Sequence, residues 1–277
     1  MEIRFCPSIH DVNPLLWDSL SDSDYPFTRH AFLAALEDSH SCSRKSGWQT
    51  YHITLWDKEQ LLAAMPLYLK NHSYGEYVFD WSWADAYHQH NREYYPKFVT
   101  CIPFTPATGP RVLSREPLEK ILPIIIDAIK NESLRLGASG WHCLFPMAEL
   151  TDSLKQLKIE KRYGSQFHWF NRGYQSFDDF LEGFSSRKRK NLKKERLKVR
   201  DQGIHLQTKT GADITTQEWT LFYQLYHRTY FKRSGRQGYL NADFFTRLAA
   251  GLSDQVLMVI AEKEGKQIAM ALCFRDQ

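Results

Sequence analysis

The stretch YHITLWDKEQLLAAMPLYL, residues 51–69, decides how the rest of the chain is read. Tyr51 to Trp56 and Leu61 to Leu69 are largely apolar runs on either side of Asp57-Lys-Glu-Gln60, a pattern that predicts two strands joined by a tight polar turn. Pro66 cannot donate to a strand ladder, so it predicts an edge strand or a bulge in the second run. The pattern returns once. Displaced by 206 positions without a gap, Tyr51 to Trp56 falls on Leu257 to Glu262, and Leu62-Ala-Ala-Met65 falls on Ile268-Ala-Met-Ala271. Each copy follows a segment with helical spacing, with Phe32, Leu33 and Leu36 in the first (Thr28 to Glu37) and Phe244, Phe245 and Leu248 in the second. This points to a duplication, with residues 1–174 as a first domain and 175–277 as the N-terminal part of a second. Because the second hairpin is followed by only a few residues, the second domain is expected to be incomplete, finished by further sequence or by a partner's strands.

Working outward, the composition sets limits. Apolar residues make up 43% and aromatics 14% of the 277 residues, which excludes a disordered chain. No apolar run approaches the roughly 18 residues a membrane helix needs. The start, MEIRFCPSIHDVNP, lacks a secretory signal's basic and apolar regions. Five cysteines without C-x-x-C spacing argue against a disulfide framework or a zinc site. The expectation is a reduced, cytoplasmic protein without a metal.

Charge is concentrated in one place. The run SSRKRKNLKKERLKVR, residues 185–200, holds nine Lys or Arg and one acid, whereas the whole chain carries only +4. A localised strip suggests an anion site or a solvated helix face. The run is free of Gly and Pro until Gly203, and Ser176 with Asp179 forms a capping pattern ahead of it, so it is expected to be helical. On a helix, Arg187, Asn191, Lys194 and Lys198 form one stripe, and Arg189, Lys193, Arg196 and Arg200 an adjoining one.

The most aromatic stretch, YGEYVFDWSWADAY at residues 74–87, alternates around Tyr77 to Trp81. This predicts a strand whose end carries Asp80, Trp81, Trp83 and Asp85 into a loop, as either an aromatic core plug or a cleft wall. The loop PFTPATGPR, residues 103–111, is too rich in proline for helix or sheet, and serves either as a connector or to bring Arg111 to a substrate. Further expected elements are helices over Pro117 to Leu136, Ser153 to Leu157 and Thr216 to Phe231, and strands over His142 to Phe145, Gln166 to Arg172 and Ile204 to Gln207. The strand at Gln166 would place His168, Phe170 and Arg172 on one face.

The doubled layout of helix, hairpin, further strand and helix resembles tandem GNAT-like acyltransferase domains. SSRKRKNLKKER followed by a Gly-Ile strand is similar to the serine, basic, asparagine, lysine pattern of the FemAB-like aminoacyltransferases. YGEYVFDWSWADAY, PFTPATGPR, HWFNRGY and SSRKRKNLKKER together resemble a bacterial family of predicted N-acyltransferases of the peptidoglycan biosynthesis or recognition type, over nearly the whole chain. The resemblance implies an α/β fold of tandem GNAT-like acyl-CoA N-acyltransferase domains with mixed sheets. It implies that Arg187, Lys190, Asn191 and Lys194 hold a phosphorylated substrate, a small molecule or cell-wall precursor. The donor would be an acyl-CoA or an aminoacyl-tRNA, so tRNA is an expected partner. The Gly-rich pyrophosphate turn typical of acyl-CoA enzymes is absent from this sequence; Arg233-Ser-Gly-Arg-Gln-Gly238 has the wrong spacing.

Transfer to an amine needs a base or amine-orienting group, for which Asp85 and His168 are the candidates, with Asp80, Trp81, Trp83 and Arg111 lining the acceptor cleft. No Ser-His or Cys-His pairing is suggested, which favours direct attack. The alternative is a non-catalytic module that binds RNA or an anionic cell-envelope precursor on a degenerate transferase fold.

Overall fold

The hairpin turn places Lys58 in the left-handed region (φ 54°), and Glu264 of the second copy takes the same conformation (φ 52°). In this computed structural model, which describes residues 1–276, the elements run in the order β1 (Glu2–Cys6), α1 (Pro14–Asp18), α2 (His30–Asp38), β2 (Trp48–Thr50), β3 (His52–Asp57), β4 (Gln60–Met65) and β5 (Tyr68–Lys70). They continue with α3 (Trp81–Gln89), β6 (Lys97–Thr100), β7 (Leu113–Ser114), α4 (Leu118–Leu136), β8 (Trp141–Cys143), α5 (Ala148–Gln156), α6 (Phe177–Glu182) and α7 (Ser186–Asp201). The last are β9 (His205–Thr210), α8 (Thr216–Ser234), α9 (Ala242–Gly251), β10 (Val256–Lys263) and β11 (Lys266–Phe274). They form three sheets, ordered β1-β3-β4-β7, β2-β5-β6-β8 and β11-β10-β9. The fold is mixed α/β. These strands pair antiparallel except for β6 with β8.

The repeat read from the sequence extends to the hydrogen-bond register. Ile53 pairs with Met65 and Val259 with Ala271; the bulges fall between Leu55 and Trp56 and between Ala261 and Glu262, every position offset by 206. A leading strand adds antiparallel to each, with Ile3 opposite Leu55 and Leu206 opposite Ala261. The expected strand Leu61 to Leu69 is in fact two. Pro66 ends β4, after which β5 joins a different sheet, so the proline acts as a corner.

The two copies share one core. Phe32 of α2 meets Phe244 of α9 edge to face (5.8 Å between centroids), and Phe27 meets Phe274 at 4.8 Å. Asn241 Nδ2 donates to Ser39 O, and Arg247 pairs with Asp38 (2.8 Å). The outer sheet faces differ. Ile53, Leu55, Ala63 and Met65 are buried beneath Ile121, Ile125 and Ile129 of α4, spaced one helical turn apart. The equivalent residues of the second copy are half-buried (Val259, Ala261) or exposed (Ala269, Ala271), and no helix of the described residues covers them.

Two expected strands are absent. Residues 77–80 have no regular structure and lead into helix α3, and residues 166–172 are irregular. A short alternating run holds as a strand only where another strand pairs with it; neither segment has such a partner among the described residues, and the helix begins only at Trp81.

Candidate functional site

The sheet β2-β5-β6-β8 turns an unusually polar face inward. Register sets Trp48 opposite Lys70, Lys70 opposite Lys97, and Val99 opposite His142, so both lysines and the histidine lie on one face. Lys97 is fully buried, and its Nζ donates to Asp80 Oδ2 (2.5 Å), Glu76 Oε2 (2.9 Å) and Ser73 Oγ (2.9 Å). A buried ammonium costs several kcal/mol unless so satisfied. Ser73 Oγ also bonds Tyr95 OH (2.7 Å), and Tyr94 OH donates to Asp80 Oδ2 (2.6 Å). The second carboxylate oxygens, Glu76 Oε1 and Asp80 Oδ1, are buried without a partner among the described residues.

Burial and shared charge divide these groups. Burial raises the Glu76 carboxyl, with only partial relief from Lys97. Burial pushes Asp80 the same way, but hydrogen bonds from Lys97 and Tyr94 outweigh it and hold Asp80 below the ordinary carboxylate range. Burial lowers Lys70 to about 7. Its Nζ sits 3.5 Å from the centre of the Trp48 ring and donates to Tyr74 O (3.3 Å).

The network reaches the surface at His142, which is half-buried, with Nε2 3.3 Å from Tyr94 OH. The Tyr94 hydroxyl has one hydrogen to donate, and it is directed to Asp80. Nε2 must therefore carry the imidazole's hydrogen and donate to Tyr94, leaving Nδ1 as the free lone pair. Burial, reinforced by Lys97, lowers His142 to about 4, so it is neutral at pH 7. Trp83 of α3 lies edge-on to it (6.4 Å), and the Arg162 guanidinium covers Trp83 at 4.6 Å. A neutral acceptor beside an exposed indole and a guanidinium can orient an amine and receive an anionic group.

The second copy adds to the same region. Tyr77 OH bonds Tyr230 OH (2.8 Å), Tyr239 stacks on Phe104 (4.9 Å), and Arg236 lies 5.6 Å from the Tyr74 ring. Tyr74 in turn packs on Trp81 (5.2 Å).

The basic segment is helical as expected and ends before Gly203, whose φ of 70° suits glycine. Ser176 caps α6, accepting from Asp179 N (3.1 Å). The two basic stripes have different surroundings. Arg189 donates to Glu182 O (3.5 Å), Lys193 pairs with Asp178 (2.8 Å), and Arg196 lies over Phe177 (3.9 Å), so these three residues of one stripe are held against α6. Arg187, Lys190, Asn191 and Lys194 are exposed and have no side-chain partner among the described residues. Ser185 makes no side-chain cap, so the first amides of α7 also lack one.

Two expected substrate contacts are corrected. Arg111 is fully buried, and its guanidinium donates to Leu144 O (2.8 Å), Pro110 O (3.0 Å) and Ala107 O, fixing the proline loop from within. Asp80 is equally buried and belongs to the Lys97 network. Trp81 and Trp83 are exposed on α3, which fits a cleft wall, and Asp85 is exposed on the same helix without a partner among the described residues. His168 is exposed, bonded only to Gln166 (2.8 Å), and nothing brings it to Asp85. Sequence alone assigns no role to His142, Tyr94 or Lys97. It does place His142 on a strand, but the significance of that residue depends on β6 lying parallel beside it.

Comparison with known proteins gives a family match. A family model described as peptidoglycan biosynthesis/recognition, FemAB_like, matches residues 8–277. A solved structure titled "Crystal structure of FemX" is similar at 12% identity and a TM-score of 0.46, covering 94% of this chain; the chain spans 57% of that protein's length. No curated protein matches in sequence.

Proposed function

The chain belongs to the FemAB-like family of peptidoglycan biosynthesis/recognition, and from that premise we propose that it is an N-acyltransferase acting on an amine of a peptidoglycan precursor. In this reading the fold is a tandem of GNAT-type domains, 1–174 and 175–277. The donor is an acyl-CoA or an aminoacyl-tRNA, each carrying phosphates on a reactive thioester or ester. Arg187, Lys190, Asn191 and Lys194, with the uncapped start of α7, grip that phosphate. The amine nitrogen attacks the donor carbonyl carbon, the C–S or C–O bond breaks, and the departing thiolate or ribose oxygen takes up the proton that the amine gives up. His142 accepts a hydrogen bond from the amine at Nδ1 and orients its lone pair, with Tyr94 and Asp80 fixing the tautomer.

The observation that carries this reading is the position of His142, a neutral histidine held by a buried Tyr94–Asp80–Lys97 chain and opening beside Trp83 and Arg162. Candidate donors and acceptors test it through label transfer. Transfer by the wild type with at least tenfold loss in His142→Ala supports the proposal; undiminished transfer in that variant removes the role of His142. Binding without transfer favours the alternative of a non-catalytic module.

A further inference from the structure

Beyond Arg162, the segment between α5 and α7 has a second character that the transfer reaction does not use. Residues 159–172 have no regular structure, yet they display four aromatic side chains to solvent: Phe167 is 100% exposed, Tyr163 85%, Phe170 70% and Trp169 65%. Aromatic surface of this extent is costly in water and marks an interaction site.

These rings are joined to the basic helix. Trp169 packs on Phe180 of α6 (6.1 Å) and Tyr174 (6.3 Å), and α6 presents Phe177 to Arg196 and Asp178 to Lys193 of α7. The aromatic coil and the nine-cation helix thus form one arm, in which α7 has no buried residue. The segment 185–200 is strongly positive while the chain as a whole is only +4, so an anionic partner would be drawn to the arm specifically.

We propose that this arm docks on an anionic lipid bilayer. Phe167 and Phe170 enter the interface, Trp169 and Tyr163 sit at the headgroup level with their polar tips in water, and the α7 stripe of Arg189, Lys193, Arg196 and Arg200 meets lipid phosphates, leaving the Arg187 stripe to the donor. A bilayer fits better than a nucleic acid because stacking on bases needs free ring faces. His168 already stacks on Phe170 (interplanar 16°), and Trp169 is packed against two rings, whereas insertion needs only exposed apolar surface. Among the described residues no helix is long and apolar enough to cross a membrane. Stable attachment of this kind combines an apolar anchor with a basic patch, and the arm supplies both.

The test uses the full chain, requires no turnover and is therefore independent of the acyl-transfer reading. Sedimentation with vesicles of phosphatidylcholine alone, and of phosphatidylcholine with phosphatidylglycerol at a 7:3 ratio, measures partitioning. We expect at least tenfold tighter binding to the anionic vesicles, weakening as salt rises. The triple variant Phe167→Ala, Trp169→Ala, Phe170→Ala should lose at least tenfold of it while staying folded with a melting temperature lowered by only a few degrees, since Phe167 and Phe170 are exposed and only Trp169 packs on α6. Equal binding to both vesicles, no binding to either, or full binding by the triple variant overturns the proposal. So does tRNA binding that depends on the same three rings in the absence of vesicle binding.

Discussion

Lys70 and Lys97 lie directly opposite each other in the antiparallel pairing of β5 with β6, two amines on one buried face. Their side chains are managed differently. Lys97 is surrounded by Asp80, Glu76 and Ser73, while Lys70 faces Trp48 and is brought down to about 7 by burial.

That difference predicts a pH dependence. The folded state binds the Lys70 proton more weakly than the unfolded chain, whose ordinary value is 10.5, so between about 7 and 10.5 the unfolded state holds more protons. The stability contribution of neutral Lys70 is therefore complete above the unfolded value and is lost as pH falls toward 7. Lys70→Met should remove this slope and stabilise the protein at pH 7 by a few kcal/mol, because each tenfold weakening of proton binding is worth about 1.4 kcal/mol. Urea denaturation from pH 7 to 9 measures it; an unchanged slope would show that Lys70 is charged when folded.

Lys97 should behave in the opposite way. Lys97→Met leaves Asp80 and Glu76 as buried carboxyls that already include two unpartnered oxygens, and is expected to cost about 3–5 kcal/mol. Adding Asp80→Asn should recover part of the loss. Denaturation of the single and double variants decides whether the network is coupled.

Arg111 and Asp85 separate structure from surface. Arg111→Ala strips three backbone carbonyls of a buried partner and should destabilise by about 2 kcal/mol or more, whereas Asp85→Ala should stay within roughly 0.5 kcal/mol. Thermal denaturation of the two variants checks the contrast.

On α7, Arg187→Gln with Lys194→Gln should leave the melting temperature unchanged, because neither side chain has a partner among the described residues. The same pair should weaken binding of a phosphorylated donor at least tenfold and flatten its salt dependence, as measured by titration at two ionic strengths. A wild-type affinity would relieve this stripe of its proposed role.

The duplicated hairpin is legible in the sequence because a two-residue period and a repeated spacing are local properties; Tyr51 to Trp56 and Leu257 to Glu262 carry them without reference to the rest of the chain. The basic helix is legible for the same reason. The polar network is not. Lys70, Lys97 and His142 are separated by dozens of residues, and what makes them one group is the order β5-β6-β8, set by a proline corner and a parallel crossover. Asp80 stands out in the sequence for its aromatic neighbours, but its carboxylate turns inward because Lys97 is buried beneath it. Arg111 reads as a substrate contact or part of a connector for want of any local sign that Ala107, Pro110 and Leu144 would present their carbonyls to it.

The most direct test of the account is label transfer from alanyl-tRNA and, separately, acetyl-CoA to a nucleotide-linked muramyl peptide bearing a free side-chain amine. It is run with the wild type and with His142→Ala of matched stability. The account predicts transfer from one of the two donors, reduced at least tenfold in the variant with acceptor affinity retained. Acceptor binding with no transfer from either donor, or equal transfer by both proteins, would contradict it.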